Sequence, residues 1–188
     1  MKNLNIRIVA LFYLALSAIS FLLAHIFEIE GFGALSSERA GLIPSTLLGV
    51  SSAFFVFSIS GLSAEYFAWA KRLNRLFTEL LGKITMREAI VFSLASGIGE
   101  ELFFRAFLIP LAGFYISTIL FALMHGAFMR PLRAWSLFAL FSGAILGWLF
   151  IFTGGILAPA IAHVLVNFLS FRSIIIERVN SEPPPHAP

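Results

Sequence analysis

Long apolar runs, broken only by short polar connections, fill most of this 188-residue chain. Six of them, over residues 6–27, 41–61, 88–109, 111–129, 134–152 and 156–176, come at about the 20 residues that a helix needs to cross a bilayer. Hydrophobic residues make up 59% of the chain and charged residues 12%, far from the near-half apolar, quarter-charged balance of soluble domains, so a water-soluble monomer is excluded. The expected fold class is all-α: a polytopic membrane bundle of about six transmembrane helices. It forms a single integral membrane domain over residues 1–180, followed by a disordered Pro-rich tail over 181–188.

The polar connections orient the bundle. Lys71, Arg72, Arg75, Lys83 and Arg87 crowd the connection after the second run, which reads as an amphipathic surface segment and follows a helix that extends toward Trp69. With the N-terminus on the cytoplasmic side, Lys2, Arg7, this basic segment, Arg130, Arg133, Arg172 and Arg178 all face the cytoplasm, as does the C-terminus. The opposite side receives the connection bearing Glu28, Glu30, Glu38 and Arg39, together with Pro110 and the turn at 153–155. The first run shows no small-residue cleavage site after its apolar core and reads as a retained anchor. The net charge of +3 sits at the ends of the runs rather than on one surface, which argues against nucleic acid as a partner. The chain has no Cys, which removes disulfides and thiolate chemistry, and its ten acids are all Glu, which removes a paired-aspartate protease.

Ionisable groups inside the runs are the anomaly. Each costs about 2.5–3.5 kcal/mol at the centre of a span, and so requires a partner, a wet cavity or a function. Glu101 and Arg105 stand four residues apart with the acid first, the favourable order for an ion pair on one helical face. Glu100 points about 100° away around the same helix and needs a partner from elsewhere. The candidates are His125 in the fourth run and His163 in the sixth, with Asn167 one turn beyond His163. A glutamate facing two histidines suits proton transfer: Glu100 as general base, His125 sharing its water, and His163 with Asn167 donating to an oxyanion. The competing reading makes the same residues interhelical glue. His25, near the end of a run, is interfacial, and His186 lies in the tail. Phe104 and Phe121 flank the polar groups and wall them from lipid. Gly143 with Gly147, and Ser93 with Gly97, form small-xxx-small pairs that let helices approach closely.

These residues fall into three ordered motifs. Glu100-Glu101-Leu-Phe-Phe-Arg105 resembles EExxxR, Phe121-Ala-Leu-Met-His125 resembles FxxxH, and His163-Val-Leu-Val-Asn167 resembles HxxxN. Together, over about residues 88–171, they resemble the CAAX protease and bacteriocin-processing family of glutamic-type intramembrane endopeptidases, which includes the type II CAAX prenyl endopeptidases. The resemblance implies a peptidase that needs no metal or other cofactor, in which Glu100 and His125 activate water and His163 and Asn167 form the oxyanion hole. Glu101, Arg105 and Phe121 would support them. It further implies residence in a bacterial or archaeal cell membrane and a membrane-associated peptide or protein substrate: a CAAX-type end, a C-terminal sorting tail or a peptide precursor. Two alternatives remain beside it. One is a non-catalytic immunity or scaffold protein of the same fold, and the other a zinc-dependent hydrolase using two His and a Glu.

One geometric expectation follows from the boundaries. Straight spans would leave Glu100 and His125 about 10 Å apart in depth, so bringing them together requires tilt, a break near Pro110, or boundaries displaced by several residues.

Overall fold

Within lipid a backbone segment satisfies its own hydrogen bonds only as a helix, and the apolar runs fold accordingly. The computed structural model describes residues 5–37 and 40–181, apart from the side chains of residues 180 and 181, and among the described residues it contains seven helices and no strand. The charges Lys2, Glu38 and Arg39, His186, and the tail from residue 182 onward lie outside the described residues. The first three helices are α1 (Ile6–Ile26), α2 (Leu42–Tyr66) and α3 (Ala68–Leu81). A fourth, α4, is composite: α-helical over Met86–Glu101, π-helical over Leu102–Leu108, and α-helical again over Ile109–Ala112. Helices α5 (Phe114–Met124), α6 (Arg133–Thr153) and α7 (Leu157–Ser181) complete the bundle, with a 3-10 turn over Arg130–Leu132 ahead of α6.

Among the described residues four stretches are long and apolar enough to cross a membrane: Ile6–Ile26, Leu42–Tyr66, Arg130–Thr153 and Leu157–Val179. The expectation of about six spans is met by these four alone on length and apolar character. Glu100, Glu101 and Arg105 interrupt the apolar character of α4, and α5 has only 11 residues, or roughly 16 Å against a hydrocarbon core of about 30 Å. That shortness settles the depth problem. The fourth run does not continue as helix to residue 129. It stops at Met124, so that His125 caps α5 part of the way along α4. Gly126 then turns the chain at φ +91, and a Cβ there would press within 2.7 Å of Leu132. Pro110 does not break α4, which ends beyond it at Gly113. The second run extends as helix only to Tyr66, because Phe67 adopts extended backbone (φ −113, ψ 123) and α3 starts afresh at Ala68.

Packing centres on α7, which lies against α2, α4 and α6, while α1 covers α4 and α5 pairs with α6. Small residues set the separations. A Cβ on Gly97 would fall 2.5 Å from the Val164 side chain and 2.9 Å from its backbone nitrogen; one on Gly143 would meet Phe121 at 2.8 Å, and one on Gly147 would meet Phe114 at 2.8 Å. At one end of the bundle the α1–α2 connection is stitched to the α6–α7 turn by backbone bonds: Ser37 N–H to Thr153 O, Ile156 N–H to Ala34 O, and Leu157 N–H to Leu35 O. At the other end, α3 exposes Lys71, Arg72 and Arg75 and turns Leu73, Leu76 and Phe77 inward, as the amphipathic pattern predicts. Arg178 of α7 donates to the carbonyls of Thr78 and Gly82, which satisfies part of the open C-terminus of α3.

Candidate active site

The N-terminus of α4 is set by a capping box. Thr85 Oγ1 accepts from the Glu88 amide while the Glu88 carboxylate accepts from the Thr85 amide. From there an unbroken α-helix carries Glu100 and Glu101 into the interior. The π stretch begins directly after them, and its i→i+5 pattern is met at the Phe104 carbonyl by a hydrogen bond from Ser117 Oγ on α5 at 2.5 Å.

Glu101 is wholly buried, with 0% exposure, and Arg105 nearly so at 1%. Arg105 Nη1 donates to Glu101 Oε1 at 2.9 Å, the i,i+4 pair that the spacing predicts. The guanidinium also donates through Nη2 to the Gly143 carbonyl at 3.1 Å and lies over the Phe121 ring, 4.2 Å from its centroid. The same Glu101 oxygen accepts from His163 Nδ1 at 2.7 Å, which the spacing does not reveal. Phe104, Phe107, Leu108 and Phe121 pack into the apolar cluster behind this pair.

Glu100 faces the other way. Its Oε1 accepts a hydrogen bond from the Tyr13 hydroxyl on α1 at 2.8 Å. Its Oε2 is buried without a hydrogen-bond partner and stands 3.7 Å from His125 Nε2 and 3.9 Å from His163 Nε2. These separations are too long for direct hydrogen bonds and suited to a bridging water. The partners on the far side of each ring fix its tautomer. His125 Nδ1 lies 2.6 Å from the Phe121 carbonyl, an acceptor only, so Nδ1 carries the proton and a neutral ring turns its Nε2 lone pair toward Glu100. His163 Nδ1 faces the Glu101 carboxylate, so its Nε2 donates only when the ring holds both protons. Phe121 and Trp135 flank the His125 ring at centroid distances of 4.2 and 4.9 Å.

Asn167 lies one turn along α7 from His163 and donates through Nδ2 to Ser96 Oγ at 2.9 Å, and Ser96 in turn donates to the Phe92 carbonyl at 2.7 Å. Glu100, His125, His163 and Asn167 all line one cavity of about 760 Å³, mainly apolar in its walls, which extends to α3 at Asn74 and to the end of α7 at Glu177. Glu100, His125 and His163 therefore converge from three helices, Asn167 joins the same chamber, and Glu101, Arg105 and Phe121 form the wall behind them. Tyr13 and Ser96 belong to the site without having been expected there. Ser96 carried a signal, one turn ahead of Glu100 on the same face, whereas Tyr13 sits in an apolar run with no spacing relation to any motif. Among the described residues no three His, Cys, Asp or Glu side chains are grouped as metal ligands.

Residues 83–169 match the family model described as Type II CAAX prenyl endopeptidase Rce1-like. The match covers just under half of the chain, from the start of α4 into α7, and takes in Glu100, Glu101, Arg105, His125, His163 and Asn167 while leaving α1 to α3 outside. No curated protein and no solved structure matches this chain. The matched family is a protease family, and together with four apolar helices it supports a hydrolase of peptide bonds embedded in a membrane.

Proposed function

We propose that this chain is a glutamic-type intramembrane endopeptidase that cuts a membrane-associated peptide or protein tail. The observation that carries the reading is the unpartnered Oε2 of Glu100 set between the Nε2 atoms of two histidines. A water held there gives one hydrogen to Glu100 Oε2 and the other to the lone pair of His125 Nε2. Glu100 takes a proton as the water oxygen bonds to the scissile carbonyl carbon, and the carbonyl electron pair moves onto its oxygen. That oxyanion accepts hydrogen bonds from the second amide hydrogen of Asn167 and from His163 Nε2 in the doubly protonated ring. The carbon–nitrogen bond then breaks, Glu100 returns its proton to the departing amine, and the other product keeps the water oxygen as a carboxylic acid. Glu101 and Arg105 act behind this set by fixing the His163 ring through Nδ1. The basic clusters favour both termini on the cytoplasmic side, the family resemblance favours a bacterial or archaeal cell membrane, and the cavity's reach to α3 favours a substrate that enters near that helix.

The test is cleavage of a panel of C-terminal tail peptides by the purified protein in liposomes. Glu100→Gln keeps the size and the Tyr13 contact but removes the base, so cleavage falls by at least about 100-fold with unfolding unchanged. Retained cleavage in that variant refutes the reading. A zinc-dependent hydrolase would instead copurify with stoichiometric metal and lose activity to chelators, and a non-catalytic binder would hold a tail peptide equally well with or without Glu100→Gln.

A further inference from the structure

We infer that Tyr13, on α1 and outside the segment that matches the family, is a positioning residue for the general base; the inference rests on the peptidase reading above. Among the described residues the Glu100 carboxylate accepts one side-chain hydrogen bond, and the Tyr13 hydroxyl gives it at 2.8 Å. With Oε1 so held, the plane of the carboxylate is fixed and Oε2 is directed to the point between His125 and His163. Without it, Oε1 would be a second unpartnered acceptor in a nearly dry site. The carboxylate would then be free to turn out of this plane, toward His163 Nε2 whenever that ring holds both protons, and the water would lose its acceptor.

The placement of Tyr13 is built into the helix contact. Gly99, the neighbour of Glu100, is buried against α1, and a Cβ there would lie 3.2 Å from the Tyr13 carbonyl oxygen and 3.3 Å from its ring. The absent side chain lets α1 seat at the depth of Glu100. Ser17 Oγ donates to the Tyr13 carbonyl at 2.9 Å, and the Phe12 ring meets the Tyr13 ring edge-on at 5.1 Å. The first helix thus completes a site whose motif residues all lie on α4, α5 and α7.

Steady-state cleavage of one fluorogenic tail peptide by wild type, Tyr13→Phe and Glu100→Gln tests this. Tyr13→Phe removes only the hydroxyl, so kcat falls about 10- to 100-fold, the size of a lost hydrogen bond to a charged group, while KM stays within about twofold. Infrared spectra supply a readout that turnover does not affect. The carboxylate stretch that disappears in Glu100→Gln shifts in Tyr13→Phe. Wild-type kcat in Tyr13→Phe alongside an inactive Glu100→Gln overturns the positioning role and leaves the peptidase reading standing. An unmoved carboxylate band does the same, as does a loss that appears as raised KM and a lowered unfolding temperature. Wild-type cleavage by Glu100→Gln overturns the peptidase reading and the inference with it.

Discussion

Glu100 and Glu101 are neighbours on one helix, carry the same charge and differ by about 100° of rotation, yet the two faces of α4 treat them oppositely. On the Glu101 face a guanidinium and an imidazole both bond to one carboxylate oxygen, an aromatic ring closes over the guanidinium, and Glu101 has no exposure at all. On the Glu100 face the side chain keeps 12% of its exposure, a single hydroxyl bonds to it, and two histidines stand near without touching. Each acid leaves its Oε2 buried without a hydrogen-bond partner, so the difference lies in the counter-charge: a charge that served only to hold helices together would have a cation bonded to it, as Glu101 has Arg105, because an unpaired charge costs energy in lipid. The proposed division into a structural acid and a working one rests on this contrast more than on either residue alone.

The comparison breaks most readily at Arg105. Arg105→Leu leaves Glu101 buried without its cation, which costs about 3–5 kcal/mol, so the unfolding temperature in detergent drops steeply. Adding Glu101→Leu removes the stranded charge and recovers part of the loss. Glu100→Gln measured the same way stays close to wild type, because the side chains around Glu100 are a hydroxyl and two histidines, with no guanidinium to strand. If Arg105→Leu were as stable as Glu100→Gln, the two faces would not differ in the way described.

Gly97→Ala tests whether the faces can be disturbed together. Its Cβ would sit 2.9 Å from the Val164 nitrogen and 3.0 Å from its Cα, so backbone rather than a flexible tip must move. Val164 follows His163 directly, and separating α4 from α7 therefore lengthens the His163 bond to Glu101 and the Asn167 bond to Ser96 at once. Overpacking of this kind costs about 1–3 kcal/mol, and cleavage falls along with stability, unlike in Glu100→Gln, where cleavage alone is lost.

How much of this could be read beforehand depends on what leaves a mark in residue order. The apolar runs give α1, α2, α6 and α7 directly, since length and hydropathy are the physical requirement itself. Glu101 with Arg105 follows from helical spacing, and the need of Glu100 for groups from other helices follows from the lack of a local cation. The end of α5 left a single faint mark, Gly126 just past the cap, which is easily overlooked because the residues after His125 stay apolar to Met129. The π stretch is a change of hydrogen-bond offset with no compositional signature. Tyr13 is an ordinary aromatic in an apolar helix until tertiary packing sets its hydroxyl against Glu100.

A third glutamate on the same helix extends the comparison and gives its smallest effect. Glu88 stands in the first turn of α4, where its Oε2 accepts from both the amide and the hydroxyl of Thr85. Thr85→Ala removes the side-chain half of the capping box and costs about 1 kcal/mol, visible as a modest fall in unfolding temperature. Glu88 lies 12 residues from Glu100, or about 18 Å along the axis, so the cap touches neither face of the site. Cleavage by Thr85→Ala should therefore match wild type below the unfolding range. A loss of kcat in this variant on the scale of Tyr13→Phe would mean that the stiffness of α4 as a whole, and not the separate partners of Glu100 and Glu101, governs how the site works.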